Sequence, residues 1–465
     1  MRSALVLAFT AALLILAQFQ DRRWKAREVY DSDAGGYYVY LPALFIHHDL
    51  GRADSVWATR RRYQPRVPPL TAGAREGLDW GLLALPATGR VISKYPPGVA
   101  LGALPWFGAA HVWATARAAR GGPAADGYGV LYQRSSMVAG LAYVLLGLIL
   151  LRALLRRYFD DTVSAWTLAS IGLGTNLFYY GSYEAALAHA PLFLWHTALL
   201  ACTARWHETP RARWALGIGL SWGLVVLCRP SDGLFGLLPL LWGLGAGLGA
   251  GRGATSGGRD GNTRATAGAG SRLFPLRASG RQVLLAALAG AAVVSLLPLF
   301  WHHVSGAWLL YTYGQEGFDF AQPHLLEGLF SFRKGWLLYT PMMALALLGG
   351  LGGALRRQLP AACWPTLVLV PLVVYLTFSW EQWWYGGSFS ARPLISLYPL
   401  LSLSLASLWA AARARRHAAP RRVLTALTVL LLALSLLQTR QYAAGVIHWD
   451  SMTRAAYFAN FWRLR

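Results

Sequence analysis

Charge and thiols are both scarce in this chain. Of its 465 residues only 14% are charged and three are cysteine, and lysine occurs three times, as Lys25, Lys94 and Lys334. The cysteines, Cys202, Cys228 and Cys363, all lie inside apolar stretches, which leaves neither a disulfide framework nor a thiolate metal site. Acidic residues number 20 against 43 basic ones, a net charge of +23. The arginines fall in short clusters between apolar stretches instead of along one face, so the excess does not read as a nucleic-acid footprint. No internal repeat is visible.

What the chain has in quantity is apolar surface. Hydrophobic residues make up 55% and aromatics 13%, more than a soluble core needs. Segments such as 139–151, 192–202 and 423–437 run almost without charge, each within a stretch near the roughly 20 residues that a bilayer requires. The pattern predicts an all-α polytopic membrane protein, a single integral domain over 1–465. About eleven spans are expected, near 3–19, 130–151, 163–181, 184–204, 212–229, 232–250, 282–301, 336–355, 361–379, 393–412 and 421–438. The Gly/Ala/Ser/Arg stretch 251–281 reads as a flexible cytoplasmic linker.

Short basic loops stay cytoplasmic. Arg2, then Arg152 with Arg156 and Arg157, Arg205 with Arg211 and Arg213, the arginines of 252–281, Arg356 with Arg357, and those of 413–422 fall at every second junction. That alternation puts the N-terminus in the cytoplasm and the C-terminal tail, 440–465, on the periplasmic or extracellular side. The apolar stretch 96–116 would reverse it if it crossed, so it is expected to stay outside as an interfacial helix with Trp106 and Trp113 at headgroup depth. The first span reads as an uncleaved anchor, since no small-x-small site follows Ala17.

With the sides assigned, the unusual polar residues gather outside. The first outer loop, 20–129, carries Asp31, Asp33, the run Tyr37, Tyr38, Tyr40, and Lys94-Tyr95-Pro96-Pro97. Later outer loops present Glu184 with His189, then Arg229, then Arg333 with Lys334, then Trp383, Trp384 and Arg392. Arginine and lysine neutralise phosphate, aromatic faces pack against pyranose rings, and a carboxylate takes a proton from an attacking hydroxyl. A membrane-surface site for an amphiphile with a phosphate head and a sugar needs these types. The plain alternatives are a helix cap for Asp33, an ion pair for Glu184, snorkelling for Lys94 and an aromatic belt for Trp383 and Trp384.

At these residues the chain resembles the GT-C superfamily of polyprenyl-phosphate-sugar-dependent glycosyltransferases, which includes protein O-mannosyltransferases and lipid A aminoarabinose transferases. The resemblance is carried by Asp33 with Tyr37 soon after the first span, by Lys94-Tyr95-Pro96-Pro97, and by Glu184 at the outer end of the third span. Further marks of a bacterial branch are Tyr37-Tyr38-Val39-Tyr40-Leu41-Pro42, Gly172-Leu173-Gly174-Thr175-Asn176-Leu177-Phe178-Tyr179-Tyr180, Ser331-Phe332-Arg333-Lys334-Gly335-Trp336 and Trp383-Trp384-Tyr385-Gly386-Gly387-Ser388-Phe389.

The resemblance implies inverting transfer at the outer leaflet of a bacterial inner membrane, from a polyprenyl-phosphate donor to a glycan, lipid or protein acceptor, and no nucleic-acid partner. Asp33 is the expected base, with Asp31 as fallback and Glu184 as second acid. Lys94 and Arg229, with Arg333 or Arg392, would meet phosphate, Lys334 would also bind substrate, and Tyr37, Tyr38, Trp383 and Trp384 would place the sugar. A divalent cation, Mg or Mn, would fall to Glu184 and His189, although Ala188 stands where many relatives have a second aspartate. A transporter or flippase of such an amphiphile is the rival reading; it predicts polar residues near the bilayer midplane and inverted repeats.

Overall fold

The computed structural model describes residues 1–63, 78–79, 81–85, 87–250, 280–356 and 360–464. Most of the expected linker, 251–279, and part of the first outer loop, 64–77, therefore lie outside the described residues.

Leucine- and alanine-rich runs without interior charge favour helix, and helices dominate the chain. Five among the described residues are long and apolar enough to cross a membrane: Arg2–Ala26, Val130–Tyr158, Gly280–Ser305, Arg392–Ala414 and Ala419–Ala443. Three shorter apolar helices, Ala212–Cys228, Met342–Gly352 and Trp364–Phe378, lie among them. On these helices the chain is a membrane protein. Burial sorts them: 89% of the apolar window of Arg392–Ala414 is buried, against 11% of Gly280–Ser305. The first is a central post, and the second turns side chains such as Leu284 and Leu288 outward, as a lipid-facing helix does.

Small residues let the helices approach closely. A Cβ on Gly140 would stand 1.7 Å from the carbonyl oxygen of Ala185, and one on Gly219 2.1 Å from that of Ala286.

Four of the basic junctions, at the N-terminus, 152–157, 205–213 and 413–422, meet at one end. The Met1 ammonium pairs with Asp161 (2.9 Å), Arg413 with Asp160 (3.4 Å) and Arg157 with Glu208. Asp160 also caps the helix Asp161–Leu173 by accepting the Thr162 and Val163 amides at 2.7 and 3.0 Å. At the far end of the first helix, Arg2–Asp21, Arg23 pairs with Glu184 at 3.0 Å. Twenty helical residues extend about 30 Å, the thickness of a hydrocarbon core.

Near that far end the spans expected from sequence break. Asp161–Leu173 stops at Gly174 and resumes as Leu177–Ser182, the 3₁₀ segment Pro230–Leu237 follows Ala212–Cys228, and Arg392–Leu397 is also 3₁₀. The first outer segment packs here as short helices, including Asp33–Tyr38, Tyr40–Phe45 and Ala53–Tyr63. It also contains an antiparallel sheet of order β1-β2-β3, with β1 Leu78–Asp79, β2 Leu82–Leu85 and β3 Arg90–Ser93, in register Leu82 to Ser93. The chain is mostly helical, as expected, and the small sheet adds to that reading; strands of two to four residues are too short for alternation to show. The helix Gly98–Ala118 lies along the same end, its Gly102 carbonyl accepting the Tyr143 hydroxyl at 2.5 Å and its His111 meeting Tyr132 at 2.7 Å.

Candidate active site

The breaks and the outer segment enclose a cavity of about 970 Å³. Asp33 enters it from the first turn of Asp33–Tyr38. Gly36 on that helix leaves room for Tyr95: a Cβ there would lie 2.4 Å from the Tyr95 ring. The Tyr95 hydroxyl therefore reaches Asp33, donating to Oδ1 at 2.8 Å. Arg392 donates to the other oxygen, Oδ2, at 2.5 Å.

Burial on its own would raise the Asp33 pKa. The Arg392 charge, the hydrogen bonds from Tyr95 and Arg392, and the Lys94 charge outweigh it, so Asp33 titrates below the ordinary carboxylate value. A carboxylate has about four lone-pair sites, and two donors leave room for a further proton to arrive.

Arg392 is aimed by a buried network. Asn176, fully buried, donates from Nδ2 to the Phe389 carbonyl at 3.1 Å and accepts the Tyr398 hydroxyl at 2.5 Å. The Tyr180 hydroxyl accepts the Phe389 amide at 2.8 Å. Tyr385, Gly386 and Ser390 all take positive φ, folding the segment back so that the Tyr385 carbonyl accepts from Arg392 at 3.0 Å. Two motifs distant in sequence thus form one device that presents a guanidinium to Asp33.

Lys94 follows β3 and bonds Glu316 at 2.8 Å, with its ammonium 5.3 Å from the Tyr313 ring. The Thr312 hydroxyl donates to the Lys94 carbonyl at 2.6 Å. Arg229 donates to the Pro393 carbonyl at 3.1 Å, faces Asp232 at 3.4 Å and meets His189 Nδ1 at 3.2 Å.

Glu184 lines the same cavity, but its carboxylate is taken by Arg23, and His189 faces Arg229. A cation site needs oxygen or imidazole donors converging without a competing guanidinium. Among the described residues no three His, Cys, Asp or Glu side chains gather in this way. With Arg23 on the carboxylate and Arg229 on the imidazole, the pair Glu184 and His189 does not fit Mg or Mn.

Of the residues brought forward by sequence, Asp31, Asp33, Tyr37, Lys94, Glu184, His189, Arg229 and Arg392 line this one cavity. Five others do not. Tyr38 is buried, stacked on Tyr30 at 4.1 Å and donating to the Gly127 carbonyl at 2.5 Å. Arg333 pairs with Asp450 at 3.1 Å and lies 3.8 Å over Trp384, and Lys334 is buried, donating to the Ser388 and Trp449 carbonyls. Trp383 is buried, with its neighbour Trp384 edge-on at 6.0 Å. The positive φ of Tyr385 and Gly386 turns this loop so that Gln382, Tyr385, Gly386 and Gly387 face the cavity instead.

Sequence reasoning missed Arg23, Tyr95 as a partner of Asp33, Glu316 and Trp449, all of which line the cavity. Arginine just beyond the outer end of a span was the one available signal, because positive-inside logic leaves Arg23 demanding a partner. Trp301, Leu309, Leu310, Val373 and Leu376 give the cavity apolar lining.

No protein-family model matches this chain, and no curated protein matches it. Two solved structures of oligosaccharyltransferase from Archaeoglobus fulgidus, one of them named AglB, resemble it in fold. The apo form aligns at 13% identity and TM-score 0.49, covering 98% of this chain and 57% of that one. The complex with an inhibitory peptide and a dolichol-phosphate aligns at 12% identity and TM-score 0.46, covering 100% of this chain and 59% of that one. This chain thus spans less than two thirds of that protein's length.

Proposed function

We propose that this chain is a membrane glycosyltransferase of the GT-C type, moving a sugar from a polyprenyl phosphate to a cell-envelope glycan, lipid or protein at the outer leaflet, with inversion. The observation that carries the reading is one cavity with two characters. Asp33, Lys94, Arg229 and Arg392 form its charged pole, and Trp301, Leu310, Val373 and Leu376 its apolar wall. An amphiphile with an anionic head needs both.

In this reading the acceptor oxygen attacks the anomeric carbon as the bond from that carbon to the phosphate oxygen breaks. The acceptor proton passes to Asp33. The electron pair of the broken bond stays on the lipid phosphate, whose charge Lys94 and Arg229 stabilise. Asp33 is held as an anion by Arg392 and Tyr95, so it is a weak base that takes the proton late, when bond formation has made the hydroxyl acidic. Lipid phosphate is a good leaving group without protonation, and no general acid is required.

The surrounding topology is the eleven-span arrangement, with the N-terminus in the cytoplasm and the C-terminal tail outside a bacterial inner membrane. The collection of Met1, Arg157 and Arg413 at the end opposite Arg23 and Glu184 supports it.

The test is Asp33→Asn in the full chain, followed by mass spectrometry of the lipid that co-purifies. The variant is expected to keep a glycosylated polyprenyl phosphate that the wild type turns over. Normal turnover by the variant, or the lack of any polyprenyl phosphate on either protein, would sink the reading.

A further inference from the structure

The loop after the last long helix, Ala419–Ala443, returns to the cavity and delivers Trp449 to its rim. Among the described aromatic rings that line the cavity, Trp449 is the most open, at 62% exposure. Tyr37, Tyr95, Tyr313 and Trp380 pack against other rings there.

An exposed indole is ordinarily free to move, yet the backbone that carries this one is held. Its carbonyl accepts from Lys334 and from the Tyr442 hydroxyl, the latter at 3.2 Å. The next residue, Asp450, pairs with Arg333 at 3.1 Å. His448 Nδ1 accepts the Asp450 and Ser451 amides at 3.1 and 2.9 Å and stacks beside the indole at 5.8 Å. The ring itself sits over Gly387, where a Cβ would come within 3.1 Å of it.

We infer that Trp449 is the platform on which the pyranose ring of the donor stacks, held in place by Arg333 and Lys334. The inference rests on the glycosyltransferase reading and assigns its sugar subsite. A rigid aromatic face at a cavity rim binds at little entropic cost, since the order was installed on folding. Sugar C–H bonds over an indole face gain dispersion contact while the hydroxyls stay wet. Arg333 and Lys334 are then positioning residues that act through Trp449.

The full chain carrying Asp33→Asn, which does not turn the donor over, is incubated with a polar lipid extract of its host's membranes and examined by native mass spectrometry for the ratio of glycosylated to bare polyprenyl phosphate retained, each further substitution being made in that background. Trp449→Ala is expected to lower that ratio by about tenfold or more, as truncation of an aromatic anchor does, and Trp449→Phe to keep most of it. Gly387→Val, which lifts the indole off its seat, is expected to lower the ratio as well; because both lipids compete for one molecule, partial misfolding leaves the ratio unmoved. An unchanged ratio in Trp449→Ala and Gly387→Val overturns the platform. An Asp33→Asn chain that retains only bare lipid phosphate overturns it too but leaves phosphate binding standing, whereas retention of no polyprenyl phosphate removes the glycosyltransferase reading with it.

Discussion

Arg392 Nη2 and Asp33 Oδ2 lie 2.5 Å apart although 359 residues separate them in the chain. The pairing holds the carboxylate ionised against burial, which acts to protonate it. A carboxylate whose folded pKa is depressed adds stability above its unfolded pKa, near 3.9, and loses it as pH falls through the folded value. The acid limb of kcat/KM in the wild type is therefore expected below about pH 4. Arg392→Gln leaves burial dominant, so the limb should move to higher pH. A pH profile of the two proteins checks the direction, and coincident limbs would contradict it.

Glu316 occupies the ammonium that the proposed phosphate needs. Glu316→Gln relieves that competition and is expected to lower KM for the lipid donor with little change in kcat. Lys94→Met removes a charge-assisted contact of about 1.5–3 kcal/mol and should raise KM by about tenfold or more. Steady-state kinetics with a short-chain polyprenyl-phosphate sugar separates the two, and a rise in KM for the glutamine variant would count against the competition.

Asn176 satisfies the Phe389 carbonyl and the Tyr398 hydroxyl from a fully buried position. Asn176→Leu keeps the volume and strands both, at about 1–3 kcal/mol for each unsatisfied group. A lower Tm is expected together with a loss of kcat, because the segment that carries Arg392 loses its anchor. Thermal unfolding and single-turnover rates measure the two effects on one preparation.

Burial, with the Arg392 and Arg333 charges, pushes the Lys334 amine down to about 7 against the pull of Asp450. Between that value and its unfolded value near 10.4 the unfolded chain binds more protons, so this residue makes stability rise with pH over that window. Lys334→Met is expected to flatten the rise. Unfolding midpoints in detergent at pH 7 and pH 9.5 test it, and equal slopes would show that the amine keeps an ordinary pKa.

The parts of the site that sequence exposed were those with a local signature on a known side of the membrane. Asp33, Lys94, Arg229 and Arg392 stand out because charge is rare and arginine outside is rarer, and they line one cavity. Pairings made at long range had no such signature: Arg23 meets Glu184 across 161 residues and Lys94 meets Glu316 across 222. Trp383 and Trp384 misled for a geometric reason. Composition says that a run of aromatics lies outside, but the positive φ of Tyr385 and Gly386 decides which of its faces turns inward. The helix break at Gly174 was likewise hidden, since an apolar run reads as a span whether or not the backbone unwinds within it, whereas Pro230 falls between two expected spans.

Trp449 and Arg392 leave the ribosome long after Asp33, Arg392 by 359 residues. A partly inserted chain therefore carries Asp33 and Lys94 without the groups that complete the cavity around them. In the proposed reading, competence for transfer waits until the helix Arg392–Ala414 has been inserted.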